Sequence, residues 1–157
     1  MTETHDLTMF RFKAESKVRM SHTDIAGIAN NISFFSYIEI GRFDYFTNIG
    51  MNYGDLAKFG AASALVDASC RYFSPLYFDD IIDIHTRVSR LGRSSFEMDY
   101  LIIAPERDVV SARGRTVTVF FDQETRKSIP MPDGFKQAII DFEGKENIET
   151  KKGTAPL

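Results

Sequence analysis

The sequence contains a single cysteine, Cys70, and no tryptophan. One cysteine excludes an intrachain disulfide and argues against a cysteine-based metal cluster. The three histidines, His5, His22 and His85, are far apart in the chain and lack the spacing of zinc ligands. We therefore expect a protein that uses neither a metal nor a redox cofactor.

Long apolar runs and an excess of basic residues are also missing. No apolar stretch approaches the roughly 20 residues that span a bilayer. The first residues have neither the basic patch nor the apolar segment of a signal peptide. The formal net charge of −3 argues against nucleic acid as the main partner. These absences predict a cytoplasmic protein that binds neither membranes nor nucleic acids.

The hydrophobic periodicity changes twice along the chain. Apolar and polar residues alternate from Phe10 to Val18, which predicts a half-buried strand. From Ile32 to Ile49 the apolar residues cover most of a helical circumference, which predicts a long buried helix that ends at Gly50. The remainder reads as strands at 61–73, 79–90, 94–104 and 109–121, followed by a short amphipathic helix with Phe135, Ile139 and Phe142.

Short turns between successive strands favour antiparallel pairing. We therefore predict an α+β fold of residues 8–143, a curled antiparallel five-stranded sheet wrapped around the long buried helix, with a short C-terminal helix. Residues 1–7 are expected to be a flexible N-terminus, and the polar residues 144–157 a mobile tail. Such a sheet has an exposed edge, which a second copy of the chain would cover.

One carboxylate, Asp24, lies just ahead of a turn at Gly27 that opens the predicted helix. A helix start offers unpaired N–H groups that can stabilise negative charge on a carbonyl oxygen during acyl transfer. A neighbouring carboxylate can attack the carbonyl carbon or deprotonate a water. The structural alternative is that Asp24 caps the helix and Gly27 merely supplies a turn conformation.

Further motifs follow at fixed spacing over about residues 8–140. They are Asp24-x-x-Gly27-Ile28-x-Asn30-Asn31, Phe34, Glu39-x-x-Arg42, Tyr72-Phe73-Ser74-Pro75-Leu76, Asp80, Gly92-Arg93-Ser94-Ser95 and Ile129-Pro130. Together these motifs resemble the hotdog-fold acyl-CoA thioesterases of the 4-hydroxybenzoyl-CoA thioesterase type.

The resemblance implies a homodimer or a dimer of dimers with active sites at the subunit interface. It implies that Asp24 is the catalytic carboxylate and that backbone N–H groups near Gly27 and Ile28 polarise the carbonyl. It further implies that the turn containing Arg93, Ser94 and Ser95 contacts the coenzyme A phosphates.

The chain departs from many relatives in having Ile28, instead of histidine, directly after the glycine. Asn31 stands where another branch carries histidine. Its side chain either orients the water or thioester, or bonds to backbone at the helix start. His22, two residues before Asp24, is an alternative partner for that carboxylate if both lie on a strand. The pair Asn30-Asn31 resembles a branch that includes enzymes for long acyl chains.

Two aromatic residues of the helix, Phe34 and Phe35, are candidates for the acyl site, the alternative being plain core. The sequence therefore predicts a thioesterase that hydrolyses acyl-CoA thioesters with apolar acyl groups. One alternative is an acyl-carrier-protein thioesterase. Another is a hydratase or dehydratase of the same fold, which generally relies on a histidine that is absent after Asp24. A third is an acyl-CoA-binding regulatory domain, which an intact Asp24 disfavours.

Overall fold

The computed structural model describes residues 7–52 and 61–150 of the 157-residue chain. The strands are β1 (Phe12–Lys17), β2 (Ala61–Tyr72), β3 (Ile81–Leu91), β4 (Ser95–Ala104), β5 (Val109–Asp122) and β6 (Glu149–Thr150). The helices are α1 (Asn31–Asn48) and α2 (Asp133–Glu143). The five strands predicted from hydrophobic alternation all form, with ends that shift by about two residues or less, the usual uncertainty of such boundaries.

The five longer strands form one antiparallel sheet in the order β1-β3-β4-β5-β2, and β6 pairs in parallel with β3. Three bulges interrupt the pairing, at Val66 in β2, Ser89 in β3 and Ser111 in β5. Each bulge adds twist and bends its strand. The predicted fold class, a curled antiparallel sheet with one long helix and a short C-terminal helix, is confirmed.

Helix α1 packs on the inner face of the sheet at two glycines. A Cβ atom on Gly41 would lie 2.6 Å from Thr86 Oγ1, and one on Gly114 would lie 2.5 Å from Ile38 Cδ1. Because glycine has no side chain, Gly41 leaves room for Thr86 and Gly114 leaves room for Ile38, so the helix and the sheet approach closely. This contact determines where the N-terminus of α1 lies relative to the strands.

Burial of α1 is one-sided within the single chain. The face that meets the sheet is buried and includes Tyr37, Ile38 and Tyr45. The opposite side exposes Ile32 and Phe43, at 78% and 43% respectively. The apolar circumference predicted a helix covered all round, and the chain by itself covers only the sheet-facing half.

The polar C-terminal segment is ordered further than the sequence indicated. Residues from 144 on were predicted as a mobile tail, but Lys145–Asn147 form a 3-10 turn and β6 pairs with β3 through Arg90 and Glu149. Ile148 anchors this segment with 6% exposure. A single buried isoleucine among charged residues produces no periodic pattern, so this order could not be predicted from hydrophobic periodicity. Residues 151–157 lie outside the described part of the chain.

The predicted flexible N-terminus also lies outside the described residues, apart from Leu7, which begins a 3-10 turn that ends at Met9. Within residues 7–52 and 61–150, we find no helix with the length and hydropathy needed to cross a membrane.

Candidate active site

Asp24 lies in a tight turn that two hydrogen bonds close. The Gly27 N–H donates to the Asp24 carbonyl at 3.0 Å, and the Ala26 N–H donates to Asp24 Oδ1 at 2.8 Å. Gly27 has φ +75°, in the left-handed region that favours glycine. The turn therefore holds the aspartate backbone in place, while the side chain remains exposed to solvent and to any ligand.

The turn does not itself open the helix, which corrects the sequence prediction. Ala29 and Asn30 follow the turn, and α1 begins at Asn31. The helix is capped by the Asn30 side chain, whose Oδ1 accepts the Ser33 N–H at 3.0 Å. Asp24 is therefore not the helix cap. The Gly27 N–H is already used within the turn, so it is not available to polarise a carbonyl in this conformation.

Unpartnered amides are found slightly further along the chain. The N–H groups of Ile28, Asn31 and Ile32 have no hydrogen-bond acceptor among residues 7–52 and 61–150. The last two belong to the first turn of α1, where the helix dipole contributes partial positive charge. Ile28, which was predicted to supply such an N–H group, thus offers a free amide, and so does Asn31, which was predicted for its side chain.

The helix start and the Asp24 turn are held side by side. The Asp24 N–H donates to the Ile28 carbonyl at 2.9 Å, and the Asn30 N–H donates to the His22 carbonyl at 2.8 Å. Thr23 and Ala29 pair as an antiparallel bridge, so the two short segments run about 5 Å apart. An exposed carboxylate and several free amides therefore occupy one small region of the surface.

His22 forms no hydrogen bond with Asp24 in the described part of the chain. It ends a 3-10 turn, Met20–His22, so the strand geometry that would bring it near the carboxylate is absent. Its Nδ1 accepts the Arg19 N–H at 3.2 Å and lies 2.9 Å from the Tyr37 hydroxyl. Burial raises the pKa of Tyr37 to about 12. Because Nδ1 accepts the Arg19 N–H it carries no proton, so the phenol donates to this nitrogen. His22 therefore supports the backbone before Asp24.

The aromatic residues near the helix start divide into core and surface. Phe34 is 2% exposed and packs edge-on against Tyr72 at 4.9 Å between ring centroids. Phe35 is 39% exposed. The Tyr72 hydroxyl donates to the Asn31 carbonyl at 3.2 Å, which ties the end of β2 to the start of α1. Phe34 is thus part of the core, whereas Phe35 remains accessible to a ligand.

Backbone hydrogen bonds fix the turn that contains Arg93, whose own side chain is exposed. The Gly92 N–H bonds the Ser95 carbonyl at 2.8 Å, while the carbonyls of Arg93 and Ser94 accept N–H groups from the segment after β5 and from β5 itself. The Arg93 guanidinium is exposed and has no ion-pair partner in the part of the chain that the structure describes. Ser94 and Ser95 are half-buried in the same turn.

A single chain does not bring Asp24 and Arg93 together. The Asp24 turn is attached to the segment just before β3, through the bridge between Ile28 and Tyr77. Arg93 directly follows the other end of β3. The 11 residues of this strand span about 35 Å at the usual rise per residue. One protomer therefore carries the two predicted halves of the site at opposite ends of its sheet.

The sequence did not reveal that Leu76 and Tyr77 contact the end of the Asp24 turn. Besides the bridge to Tyr77, the Ala29 N–H donates to the Leu76 carbonyl at 2.8 Å. These contacts join residues about 50 positions apart, which no local pattern reveals. No group of three or more His, Cys, Asp or Glu side chains is placed to hold a metal ion within the described ranges.

Comparison with known proteins agrees with this fold. The chain superposes on the crystal structure of a 1,4-dihydroxy-2-naphthoyl-CoA thioesterase from Synechocystis with a TM-score of 0.78 and 25% identity, covering 84% of this chain and 97% of that one. It is 27% identical over 130 residues to a putative acyl-CoA thioesterase, YneP, of Bacillus subtilis, covering 83% of this chain and 91% of the relative. It is 25% identical over 144 residues to the acyl-acyl carrier protein thioesterase ATL3 of Arabidopsis thaliana, covering 90% of this chain and 70% of the relative.

The class that the fold defines is that of the hotdog proteins. Residues 18–139 match the model of the thioesterase-like superfamily, and the chain belongs to this family. The prediction that it is a thioester hydrolase is thereby confirmed.

Proposed function

We propose that the protein hydrolyses acyl-CoA thioesters to a free acid and coenzyme A, with Asp24 as the catalytic carboxylate. The observation that carries this proposal is the exposed Asp24 carboxylate beside the unpartnered amides of Ile28 and Asn31. The names of relatives that act on acyl-CoA and aryl-CoA thioesters support the same substrate class.

In the proposed reaction the thioester carbonyl oxygen accepts hydrogen bonds from the backbone N–H groups of Ile28 and Asn31. These donors stabilise the negative charge that grows on the oxygen as the carbonyl carbon becomes tetrahedral. Asp24 either attacks this carbon, releasing the coenzyme A thiolate and forming an anhydride that water cleaves, or removes a proton from the attacking water. Gly27 contributes through the shape of the turn.

The site is completed by a second copy of the chain. β2 is an edge strand, and its five consecutive residues Leu65 to Ser69 are all exposed. Successive side chains of a strand point to opposite faces of the sheet. Five exposed residues in a row therefore mean that nothing in the described part of this chain packs on either face of β2 at this point. Two β2 edges that pair antiparallel would pair the outer-edge backbone N–H and C=O groups of this strand and join the two sheets into one, which places its exposed side chains beside the partner.

Such a dimer would bring the two halves of the site together. Antiparallel pairing puts the partner's Ala61 end of β2 beside the Tyr72 end of the first protomer. The Ala61 end pairs with the end of β5, and β5 is bonded to the Ser94 carbonyl through the Phe120 N–H at 2.7 Å. The partner's Arg93 would thus approach the Asp24 of the first protomer, and the same would hold for the second site.

In this arrangement Arg93 contacts a phosphate of coenzyme A, with Ser94 and Ser95 as neighbouring hydroxyl donors. Guanidinium geometry suits phosphate oxygens, and Arg93 has no carboxylate neighbour among the described residues that would compete for it. The acyl group would lie against the exposed apolar surface of α1, where Ile32 and Phe35 are accessible.

Hydrolysis of a panel of acyl-CoA esters, followed through release of the free thiol, tests the proposed activity. Each methylene buried in the acyl site adds about 0.8 kcal/mol, so we expect kcat/KM to rise from acetyl-CoA through medium chains or aryl groups and then level off. A dicarboxylic ester such as succinyl-CoA should be poor, because Ile32 and Phe35 offer no charge to it. A panel without turnover would contradict the function, and highest kcat/KM for acetyl-CoA or succinyl-CoA would contradict the apolar acyl site.

The same panel decides between coenzyme A and acyl carrier protein as the carrier, since one relative is named for the latter. A medium-chain acyl group presented on each carrier should be hydrolysed faster from coenzyme A. A large preference for the carrier protein would overturn the assignment of the Arg93 turn to coenzyme A.

Replacing Arg93 with alanine should raise KM for acyl-CoA by about tenfold with little change in kcat, because the lost contact binds ground and transition states alike. The effect should shrink as salt screens the contact. Acyl-pantetheine, which lacks the nucleotide phosphates, provides the control and should be insensitive to Arg93→Ala. An equal loss with acyl-pantetheine would show that Arg93 does not bind those phosphates.

A further inference from the structure

An ion pair outside the proposed site organises the segment 75–80 that precedes β3. Arg107 ends the 3-10 turn Pro105–Arg107, which connects β4 to β5. Its Nη2 donates to Asp80 Oδ2 at 2.6 Å and to the Pro75 carbonyl at 2.9 Å. The guanidinium carbon also lies 5.0 Å from the centre of the Tyr77 ring. One side chain thus holds the beginning, the middle and the end of this segment.

The same segment holds the Asp24 turn from its other side. Leu76, which is fully buried, accepts the Ala29 N–H at 2.8 Å, and Tyr77 bridges with Ile28. Asp80 Oδ2 accepts the Tyr77 N–H at 2.8 Å as well as the bond from Arg107. A continuous chain of contacts therefore runs from Arg107 through this segment to the backbone of Ile28 and Ala29.

The segment needs such support because part of its backbone is unfavourable. Asp79 has φ +75°, in the left-handed region that non-glycine residues seldom adopt. The ion pair of Lys17 with Asp79 is largely exposed, with side chains 50% and 62% accessible, and pairs of that kind contribute little. Arg107 and Asp80 are better shielded, at 31% and 17%, so their pairing provides the stronger restraint.

We infer that Arg107, through its pairing with Asp80, is a positioning residue that holds the Asp24 turn and the Ile28 amide in their catalytic arrangement. The inference rests on the proposed function for the consequence in turnover, while its structural part stands on the contacts alone. Displacement of a catalytic group by about 1 Å is enough to lower a rate up to 100-fold. The guanidinium itself need not touch the substrate.

The kinetic test compares Arg107→Ala with Arg115→Ala. Arg115 is the control, because it also pairs with a 17% exposed carboxylate, Glu97, on strands away from the turn, and Glu97 keeps Arg90 as a partner in the variant. Arg107→Ala should lower kcat by about 10- to 100-fold with KM changed by less than about threefold. Arg115→Ala should leave both constants within about twofold. Equal kinetics for the two variants would overturn the inference.

Conservative replacement separates positioning from general stability. Arg107→Lys retains the charge, but a lysine ammonium cannot contact Asp80, the Pro75 carbonyl and the Tyr77 ring at the same time. The kcat of this variant should therefore fall between those of the wild type and Arg107→Ala. Added guanidinium ion should restore part of the kcat of Arg107→Ala. A lysine variant as slow as the alanine variant, with melting temperatures lowered equally in both, would indicate only a folding role and would overturn the inference.

Hydrogen exchange of the Ala29 amide gives a readout that does not depend on activity. This N–H is bonded to Leu76, so its protection should fall in Arg107→Ala and stay unchanged in Arg115→Ala. Unchanged protection in Arg107→Ala would overturn the inference even if the protein is a thioesterase. Reduced protection would support the structural part even if the wild type hydrolysed no thioester.

Discussion

Replacing Asp24 with asparagine should lower kcat by about 10²- to 10⁴-fold while leaving the fold intact. Asparagine retains an oxygen that can accept the Ala26 N–H, so the turn keeps its hydrogen bond. It has no charge with which to attack a carbonyl or remove a proton. The side chain is exposed and makes no ion pair among the described residues, so stability should change little. Turnover numbers under saturating acyl-CoA, with melting temperatures, provide the measurement.

Asp108→Asn is the matched control for this change. Asp108 is also exposed in a turn, with φ +52°, a region that asparagine tolerates well. Its kcat should remain within about twofold of the wild type, because surface changes away from a site have small effects. If Asp24→Asn retained more than about a tenth of wild-type turnover, the carboxylate would not be the catalytic group.

The fold was predictable because its strands carry strong alternation. In β3, Ile82, Ile84 and Val88 face inward with no exposure, and the intervening residues are polar. In β1 the alternation between exposed and covered residues is equally regular. Patterns of this kind depend only on neighbours along the chain. By contrast, β6 comprises two residues and depends on pairing with a distant strand, so it had no local signal.

The candidate site was only partly predictable. The Asp24 turn follows from local chemistry, since a short acidic side chain and a glycine close it within four residues. The helix start was misjudged, because Asn30 caps α1 through its side chain and leaves Gly27 inside the preceding turn. Local sequence contains both candidate caps, and the pairing of Thr23 with Ala29, supported by the long-range bond from the Ala29 N–H to Leu76, decides between them.

Contacts between segments that are distant in the chain account for the features of the candidate site that could not be predicted. The pairs Ala29 with Leu76 and Arg107 with Asp80 join segments that are separate in the chain. His22 was considered as a partner of Asp24 by its spacing, yet its Nδ1 contacts the Arg19 N–H and the Tyr37 hydroxyl. Each of these outcomes depends on contacts between segments that fold together in space, which spacing along the chain does not specify.

The central claim is that each active site combines Asp24 of one protomer with the partner's Arg93. Mixed dimers of an Asp24→Asn chain and an Arg93→Ala chain test it, when each chain carries a different affinity tag and the dimers are purified on both. In the proposed arrangement, one site of the mixed dimer carries both changes and the other carries neither. If both residues acted within one chain, each site would carry one change and no wild-type site would exist.

The quantity to measure is kcat/KM of the purified mixed dimer with a medium-chain acyl-CoA at low substrate concentration. We predict about half of the wild-type value, from one intact site in two, although Arg93→Ala alone retains about a tenth and Asp24→Asn alone almost none. A mixed dimer with only half the activity of Arg93→Ala would contradict the shared site.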